Sequence, residues 1–322
     1  MATAPKSTLK LAPKYLPPKK MAARHLRSDL DLTTPELLSL LHLASAVKET
    51  PAQYAQALTG TYLSLLFEKP SLRTRLTFEV AIKQLGGDSV LSVGHIADRE
   101  PIKDIARNLD RWTAGIVART FSQRTIEDLA HWSTVPVINA LSDMYHPCQA
   151  LADFQTLNEH YGTLAGLKLA FVGDGNNVAH SLMLCAARLG VNFSIATPEG
   201  YQPAPDVVAQ AQAFAAETGS TVEVFRHPST AVTGADAVYT DVWASMGQEE
   251  QAIPRRVLFR PWQVNEKLMA QARPEAIFMH CLPAHRGDEV TDAVIESSHS
   301  VVFEQAENRL HAQKALLLML LG

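Results

Sequence analysis

Apolar and polar positions alternate along this chain in two interleaved rhythms. Short continuous apolar runs fit buried parallel strands, and longer stretches with apolar residues three and four apart fit amphipathic helices. In the first half the pattern predicts strands over 62–67, 115–118 and 135–139, with helices over 76–85, 102–112 and 126–133 between them. Thr33-Thr34-Pro35-Glu36 reads as a helix start, with a capping hydroxyl, a proline in the first turn and an early acid. A long helical pattern over 146–161 leads to a second series. Its strands are expected at 167–172, 192–196, 222–225, 237–240 and 277–280, and its helices at 178–189, 206–217, 266–272, 290–296 and 308–321. Strands that alternate with helices in this way predict an α/β protein with two doubly wound, mostly parallel sheets. No period of 20 to 50 residues repeats.

Composition narrows the classes. A chain of 322 residues is long enough for two domains, and 47% hydrophobic with 19% charged residues is ordinary for a globular enzyme. A formal net charge of -4 argues against a general nucleic-acid surface, so any anion site must be local. Cys148, Cys185 and Cys281 are far apart and odd in number, which favours a reducing, cytoplasmic setting over a disulfide scaffold. Residues 1–25 carry Lys6, Lys10, Lys14, Lys19, Lys20 and Arg24 with no acid, and read as a flexible basic tail without the apolar core of a signal peptide. The run 315–321 is too short to cross a bilayer, so no membrane is expected.

The candidate chemistry gathers at predicted strand ends, where open α/β sheets bind ligands. Ser71-Leu72-Arg73-Thr74-Arg75 follows the first strand and precedes a helix, so hydroxyls, guanidiniums and helix-start N–H groups converge as they would on an anion. The same residues also suit a plain capped helix whose arginines pair with Glu68 or Glu79. Arg119 ends the second strand, and His146-Pro147-Cys148-Gln149 opens the long helix, offering two groups able to donate to a carbonyl oxygen. Gly173-Asp174-Gly175-Asn176-Asn177 follows a strand as a dinucleotide fingerprint would, with Glu199 at a suitable distance for a ribose. Val178 stands in place of the third glycine, however, and the amide pair also suits an amino acid. Asp241, followed by Ser245-Met246-Gly247, sets a carboxylate and then a hydroxyl turn at another strand end. His280-Cys281-Leu282-Pro283-Ala284-His285 leaves three readings open: a nucleophilic thiol, a zinc site using His280, Cys281 and His285, or a polar contact to substrate.

In this order, from about Leu26 to the C-terminus, these segments resemble the aspartate/ornithine carbamoyltransferase family, and within it the ornithine branch. Ser71-Leu72-Arg73-Thr74-Arg75 is similar to the family's carbamoyl phosphate motif, and His146-Pro147-Cys148-Gln149 to its carbonyl-polarising motif. Asp241 with Ser245-Met246-Gly247, and His280-Cys281-Leu282-Pro283, mark the ornithine branch. The resemblance implies transfer of the carbamoyl group from carbamoyl phosphate to the δ-amine of L-ornithine, giving L-citrulline and phosphate. It implies no cofactor and no metal. Carbamoyl phosphate would be held by Ser71, Leu72 through its backbone, Arg73, Thr74, His95, Arg119, His146, Gln149, Cys281, Leu282 and Arg309. Ornithine would be held by Asn177, Asp241, Ser245 and Met246, with Asn176 close by, and Arg119, His146, Cys281 and Asp241 would serve the chemistry itself.

The implied organisation is a tail over 1–25, a carbamoyl phosphate domain over 26–150 and an ornithine domain over 151–307, with a C-terminal helix over 308–322 packing back on the first. His95 would reach a neighbouring subunit's site, which implies a homotrimer or a multiple of trimers. Two departures stand out: Leu72 replaces a hydroxyl residue common in relatives, and Ala97-Asp98-Arg99 replaces a glycine-containing turn. Competing readings are a nicotinamide dehydrogenase built on Gly173-Asp174-Gly175, a relative that uses putrescine or an N-acylated ornithine, and a phosphometabolite binder without turnover.

Overall fold

The computed structural model describes residues 16–69, 71–244, 250 and 252–322. A capping box opens α1 (Thr34–Glu49): the Thr33 side chain accepts from the Glu36 N–H and Glu36 accepts from the Thr33 N–H. Four parallel strands follow, β1 (Tyr62–Phe67), β2 (Asp88–Val93), β3 (Gly115–Arg119) and β4 (Val137–Leu141), in the order β2-β1-β3-β4. Between and after them run α2 (Leu72–Gln84), α3 (Ile102–Trp112), α4 (Gln123–Trp132) and α5 (Pro147–Tyr161). The second sheet is also wholly parallel. It comprises β5 (Lys168–Val172), β6 (Asn192–Ala196), β7 (Val222–Phe225), β8 (Ala237–Thr240) and β9 (Ile277–His280), in the order β7-β6-β5-β8-β9. Its helices are α6 (Asn177–Arg188), α7 (Pro205–Thr218), α8 (Pro228–Val232), α9 (Ala252–Phe259), α10 (Glu266–Met269), α11 (Asp292–Ile295) and the long α12 (Val302–Leu321).

Strand pleating sorts the core. Leu63, Leu65 and Phe67 of β1 face one side, with α5, α12 and the inner face of the second sheet, while Leu66 faces the other with Ile116, Ala118, Ile126 and Leu129. One apolar core therefore runs from sheet to sheet through α5 and α12. Polar bonds pin these helices as well: Asn308 of α12 donates to Thr156 Oγ1 (3.0 Å) and Glu159 (2.8 Å) of α5, and Lys48 of α1 donates to Asn308 (2.8 Å).

Several elements depart from the expected bounds. α2 begins at Leu72 rather than 76, so Arg73 and Thr74 lie in its first turn and not in a loop before it. α12 begins at Val302 rather than 308, and β4 spans Val137–Leu141 rather than 135–139. β2, α8 and α9 were not anticipated. No helix among the described residues is long and apolar enough to cross a membrane.

Each sheet reverses its winding once, between β1 and β3 and between β5 and β8. At both places the loops leaving the strands' carboxyl ends diverge and open a crevice.

Candidate active site

The two crevices form one cleft of about 780 Å³. Ser71, Leu72, Arg73, Thr74, Arg119, His146, Gln149, Asn177, Asp241, Cys281, Leu282 and Arg309 all line it. A smaller hollow of about 430 Å³ beside α10 and α11 contains none of the residues anticipated from sequence. His95 lies outside the cleft, exposed beyond β2, stacked 5.3 Å from the Phe121 ring and with Nδ1 3.9 Å from Glu68. Ser245 and Met246 lie outside the described residues.

One wall is cationic. Arg119 ends β3 where the β3–β4 register shifts between Ala118 and Arg119. Its Nη1 donates to Thr74 Oγ1 at 3.4 Å, and Arg309 Nη2 from α12 donates to the same hydroxyl at 2.6 Å. Arg309 Nη1 donates to Gln149 Oε1 at 2.9 Å. Arg119 is 6% exposed and Arg309 3%, with Arg73 half-buried beside them, and none of the three has an ion pair among the described residues. Burial, then repulsion from Arg309, pulls Arg119 down to about 10, and burial lowers Arg309 and Arg73 too. Buried cations without a counter-charge are costly, so this wall favours an anion. Ser71 precedes α2 without capping it through its side chain, whereas Arg75 pairs outward with Glu79 at 2.8 Å. The plain structural reading therefore describes Arg75 alone.

His146 sits between the walls as the residue before α5, its N–H held by Ser181 Oγ at 2.9 Å. Burial and the charges of Arg309 and Arg119 hold its imidazole well below the usual histidine range, so it is neutral and donates from one nitrogen only. Its Nδ1 is buried with no partner among the described residues.

The opposite wall is built around Asp241, just past β8. Its Oδ1 accepts from the Cys281 thiol at 3.0 Å and its Oδ2 from Asn176 Nδ2 at 2.8 Å. Burial of the thiol and the neighbouring Asp241 carboxylate push Cys281 well above the usual thiol range, although the residue as a whole is only partly buried. Cys281 is thus a protonated donor to Asp241 and a poor nucleophile. Asn177 Nδ2 crosses the cleft to donate to the Ser142 carbonyl at 2.6 Å.

Zinc has a partial ligand set here: Asp241, His280 and Cys281 bring their ligand atoms within 4.8 Å of one another, without His285. The His280 ring, however, is used on both sides. Its Nδ1 accepts from the Leu282 N–H at 2.9 Å, which leaves Nε2–H to donate to Glu289 at 3.2 Å. Coordination would break one of these buried bonds.

The glycine turn is likewise occupied by protein. A Cβ on Gly175 would lie 2.2 Å from the Pro203 nitrogen, so the chain's own 202–203 backbone packs where a pyrophosphate would approach. Asn176 Oδ1 caps α6 by accepting from the N–H groups of Val178 and Ala179, and Glu199 pairs with Arg226 at 3.5 Å. Sequence reasoning missed the roles of Asp174 and Arg255, which form an ion pair at 2.5 Å in the cleft wall, with Arg255 also donating to the Trp243 carbonyl. Asp174 stood in view inside the Gly-Asp-Gly turn; Arg255 lies on α9, a helix the pattern did not show.

Two family models match, and together they span nearly the whole chain. The aspartate/ornithine carbamoyltransferase carbamoyl-P binding domain covers residues 24–159, and the Asp/Orn binding domain of the same family covers residues 165–320. The chain belongs to the aspartate/ornithine carbamoyltransferase family. The similarity to individual carbamoyltransferases is just as extensive. The chain is 52% identical over 307 residues to an ornithine carbamoyltransferase of Thermococcus kodakarensis, covering 94% of this chain and 98% of the relative. It is 50% identical over 307 residues to an anabolic ornithine carbamoyltransferase of Pyrococcus furiosus, with the same coverage of 94% and 98%. Among solved structures, ornithine carbamoyltransferase from Pyrococcus furiosus superposes with a TM-score of 0.91 at 49% identity, covering 94% of this chain and 98% of that one. The carbamoyltransferase resemblance and the two-sheet α/β class read from sequence both hold.

Proposed function

We propose that this carbamoyltransferase moves the carbamoyl group of carbamoyl phosphate to the δ-amine of L-ornithine, giving L-citrulline and phosphate. The observation that carries this reading is the division of the cleft into a wall of buried and half-buried guanidiniums without an ion pair among the described residues and a wall centred on the Asp241 carboxylate. The cationic wall suits a phosphate dianion, held by Ser71, Arg73, Thr74, Arg309 and the N–H groups at the start of α2, that of Leu72 included. Arg119 and neutral His146 then donate to the carbonyl oxygen. The second lone pair of Gln149 Oε1, with the backbone carbonyls at Cys281 and Leu282, receives the carbamoyl NH₂.

On the other wall Asp241 holds the α-ammonium of ornithine, with Asn177, Ser245 and Met246 completing the amino-acid contacts. The neutral δ-amine donates its lone pair to the carbonyl carbon. Negative charge gathers on the oxygen facing Arg119 and His146, then returns to re-form the carbonyl as the C–O bond to phosphate breaks with its electron pair, and the attacking nitrogen passes one proton to the departing phosphate, which leaves as hydrogen phosphate. Catalysis of this kind is positioning plus fixed electrostatic stabilisation, and its chemistry needs no cofactor. An acylated α-nitrogen carries no charge for Asp241 to pair.

The proposed assembly is a cytoplasmic homotrimer, or a multiple of trimers, with His95 lent to the neighbouring site. Support comes from exposed apolar side chains on α2 and on both faces of the edge strand β2, where Leu76, Val80, Val90 and Val93 face solvent in the single chain. The proposed division of labour is carbamoyl phosphate on 26–150 together with 308–322, and ornithine on 151–307.

A colorimetric citrulline assay over ornithine, N-acetylornithine and putrescine tests the assignment. Product is expected with ornithine and phosphate release should match it mole for mole. Turnover of another amine in its place would sink the reading.

A further inference from the structure

Three buried side chains that the reaction scheme does not use, Asp153, Gln305 and Tyr239, meet directly behind the cleft. Asp153 lies one turn after Gln149 on α5 and is fully buried. Its Oδ1 accepts from Gln149 Nε2 and from Gln305 Nε2, both at 2.7 Å, and its Oδ2 accepts from the Tyr239 hydroxyl at 3.2 Å. Gln305, on α12 one turn before Arg309, also accepts from the His280 N–H at 2.9 Å. The cluster therefore joins α5 and α12 to β8 and β9, whose ends carry Asp241 and Cys281.

We infer that Asp153 is a positioning residue that fixes which way the Gln149 amide faces the carbamoyl phosphate pocket, an inference that rests on the carbamoyl-transfer reading. The logic is one of donors and acceptors. A glutamine amide is nearly symmetric in shape and could present either its oxygen or its NH₂ to Arg309. A guanidinium only donates and the Asp153 oxygen accepts, so one orientation alone satisfies both: Nε2 towards Asp153 and Oε1 towards Arg309. With Oε1 held there, Arg309 Nη1 is anchored at 2.9 Å and Nη2 reaches Thr74 at 2.6 Å. The chain of bonds Asp153–Gln149–Arg309–Thr74 thereby sets the geometry of the anion wall from a carboxyl that never meets substrate. Without Asp153 the amide has no fixed sense, and a flipped Gln149 would point NH₂ at a cation. Burial pushes the Asp153 carboxyl up to about 7, so an asparagine there alters its average charge less than its ordinary pKa would suggest. An asparagine oxygen can still accept from both glutamines, while its NH₂ faces the Tyr239 oxygen.

The test compares Asp153→Ala, Asp153→Asn, Gln149→Ala and the double variant Asp153→Ala/Gln149→Ala, with steady-state kinetics in each substrate and thermal melting. Asp153→Ala should lose about tenfold or more in kcat/KM for carbamoyl phosphate, the order expected when a buried donor loses its partner. KM for ornithine should move far less, and Asp153→Asn should recover most of the loss. The double variant should be little worse than Gln149→Ala, because both changes act on one amide. Unchanged kcat/KM in Asp153→Ala, additive losses in the double variant, or an equal loss in Asp153→Asn would overturn the inference. Should Asp153→Ala fail to fold, Asp153→Glu carries the same expectation, since it displaces the acceptor by one methylene while keeping a carboxylate. Wild-type chain that makes no citrulline would overturn the carbamoyl-transfer reading itself; active wild type with an indifferent Asp153 overturns only this inference.

Discussion

Arg73, Thr74, Arg119, His146 and Gln149 were legible as single residues because each ends a strand or opens a helix, where side chains project past the sheet into the cleft, whereas Arg309, well inside α12, came into view only through the family resemblance. Residues that act from behind were not. Gln305 is 152 positions from the Asp153 it touches, and no local pattern marks either side of such a contact. Asp29 is a second case. It sits in a short turn near the N-terminus, yet its carboxyl accepts from Ser181 Oγ and from Cys185 Sγ of α6, and Ser181 in turn holds the His146 N–H. Burial raises the Asp29 carboxyl to about 6. An unfolded aspartate titrates near about 3.9, so between those values the folded chain keeps a proton that the unfolded chain has released. This group's contribution is fully present below about pH 4 and is lost as pH rises through 6, a change of about 3 kcal/mol for a fully buried carboxyl. Asp29→Asn cannot titrate. Its unfolding free energy relative to wild type should therefore improve by up to about 3 kcal/mol from pH 4 to pH 7, measured by denaturant titration at each pH. A pH-independent difference would show that Asp29 titrates alike in both states.

Among elements, those with a strong period were the easiest to read. β1, β3, β5, β8 and β9 are largely apolar and buried along their length, as strands covered on both faces must be. β2 hid because it is an edge strand with both faces partly wet, so Asp88-Ser89-Val90-Leu91-Ser92-Val93 forms no apolar block. The first turn of α2 hid because its positions carry polar groups that line the cleft, Arg73 and Thr74, in place of an apolar stripe; these are the groups proposed to hold phosphate. The β5–α6 turn illustrates the opposite risk, a motif that reads as one ligand site and serves another purpose. Gly175 is required there by close packing against Gln202 and Pro203, with 2.2 Å left for a Cβ. Gly175→Ala must push that backbone away from a turn that carries Asp174, Asn176 and Asn177. Destabilisation of about 1–3 kcal/mol is expected from such overpacking, together with a raised KM for ornithine and a nearly unchanged KM for carbamoyl phosphate. Thermal melting and two-substrate kinetics would show it, and an alanine variant with native KM for both substrates would mean the turn tolerates the shift.

At the scale of the whole molecule, one chain leaves unpaired surface on the side that bears His95. Val90 is 62% and Val93 67% exposed on the open edge of the first sheet, with Leu76 and Val80 of α2 exposed as well. An uncovered parallel edge with apolar side chains invites another chain, and natural sheets usually blunt such edges with charge. The proposed trimer would cover this edge and bring His95 to a neighbour's cleft in the same contact. Val90→Glu/Val93→Glu should then yield smaller species by light scattering and lose turnover, because the site would lack its borrowed residue. A complementation experiment separates shared sites from mere association. Arg119→Ala chains keep His95 but have crippled clefts; His95→Ala chains keep the cleft but lend nothing. Dissociated, mixed and reassembled, they should form hybrids in which about a quarter of the sites combine an intact Arg119 with an intact neighbouring His95, as random cyclic assembly requires. Recovery of activity towards that fraction is the expected result. Hybrids no more active than the two parents would mean that each cleft works with the residues of its own chain.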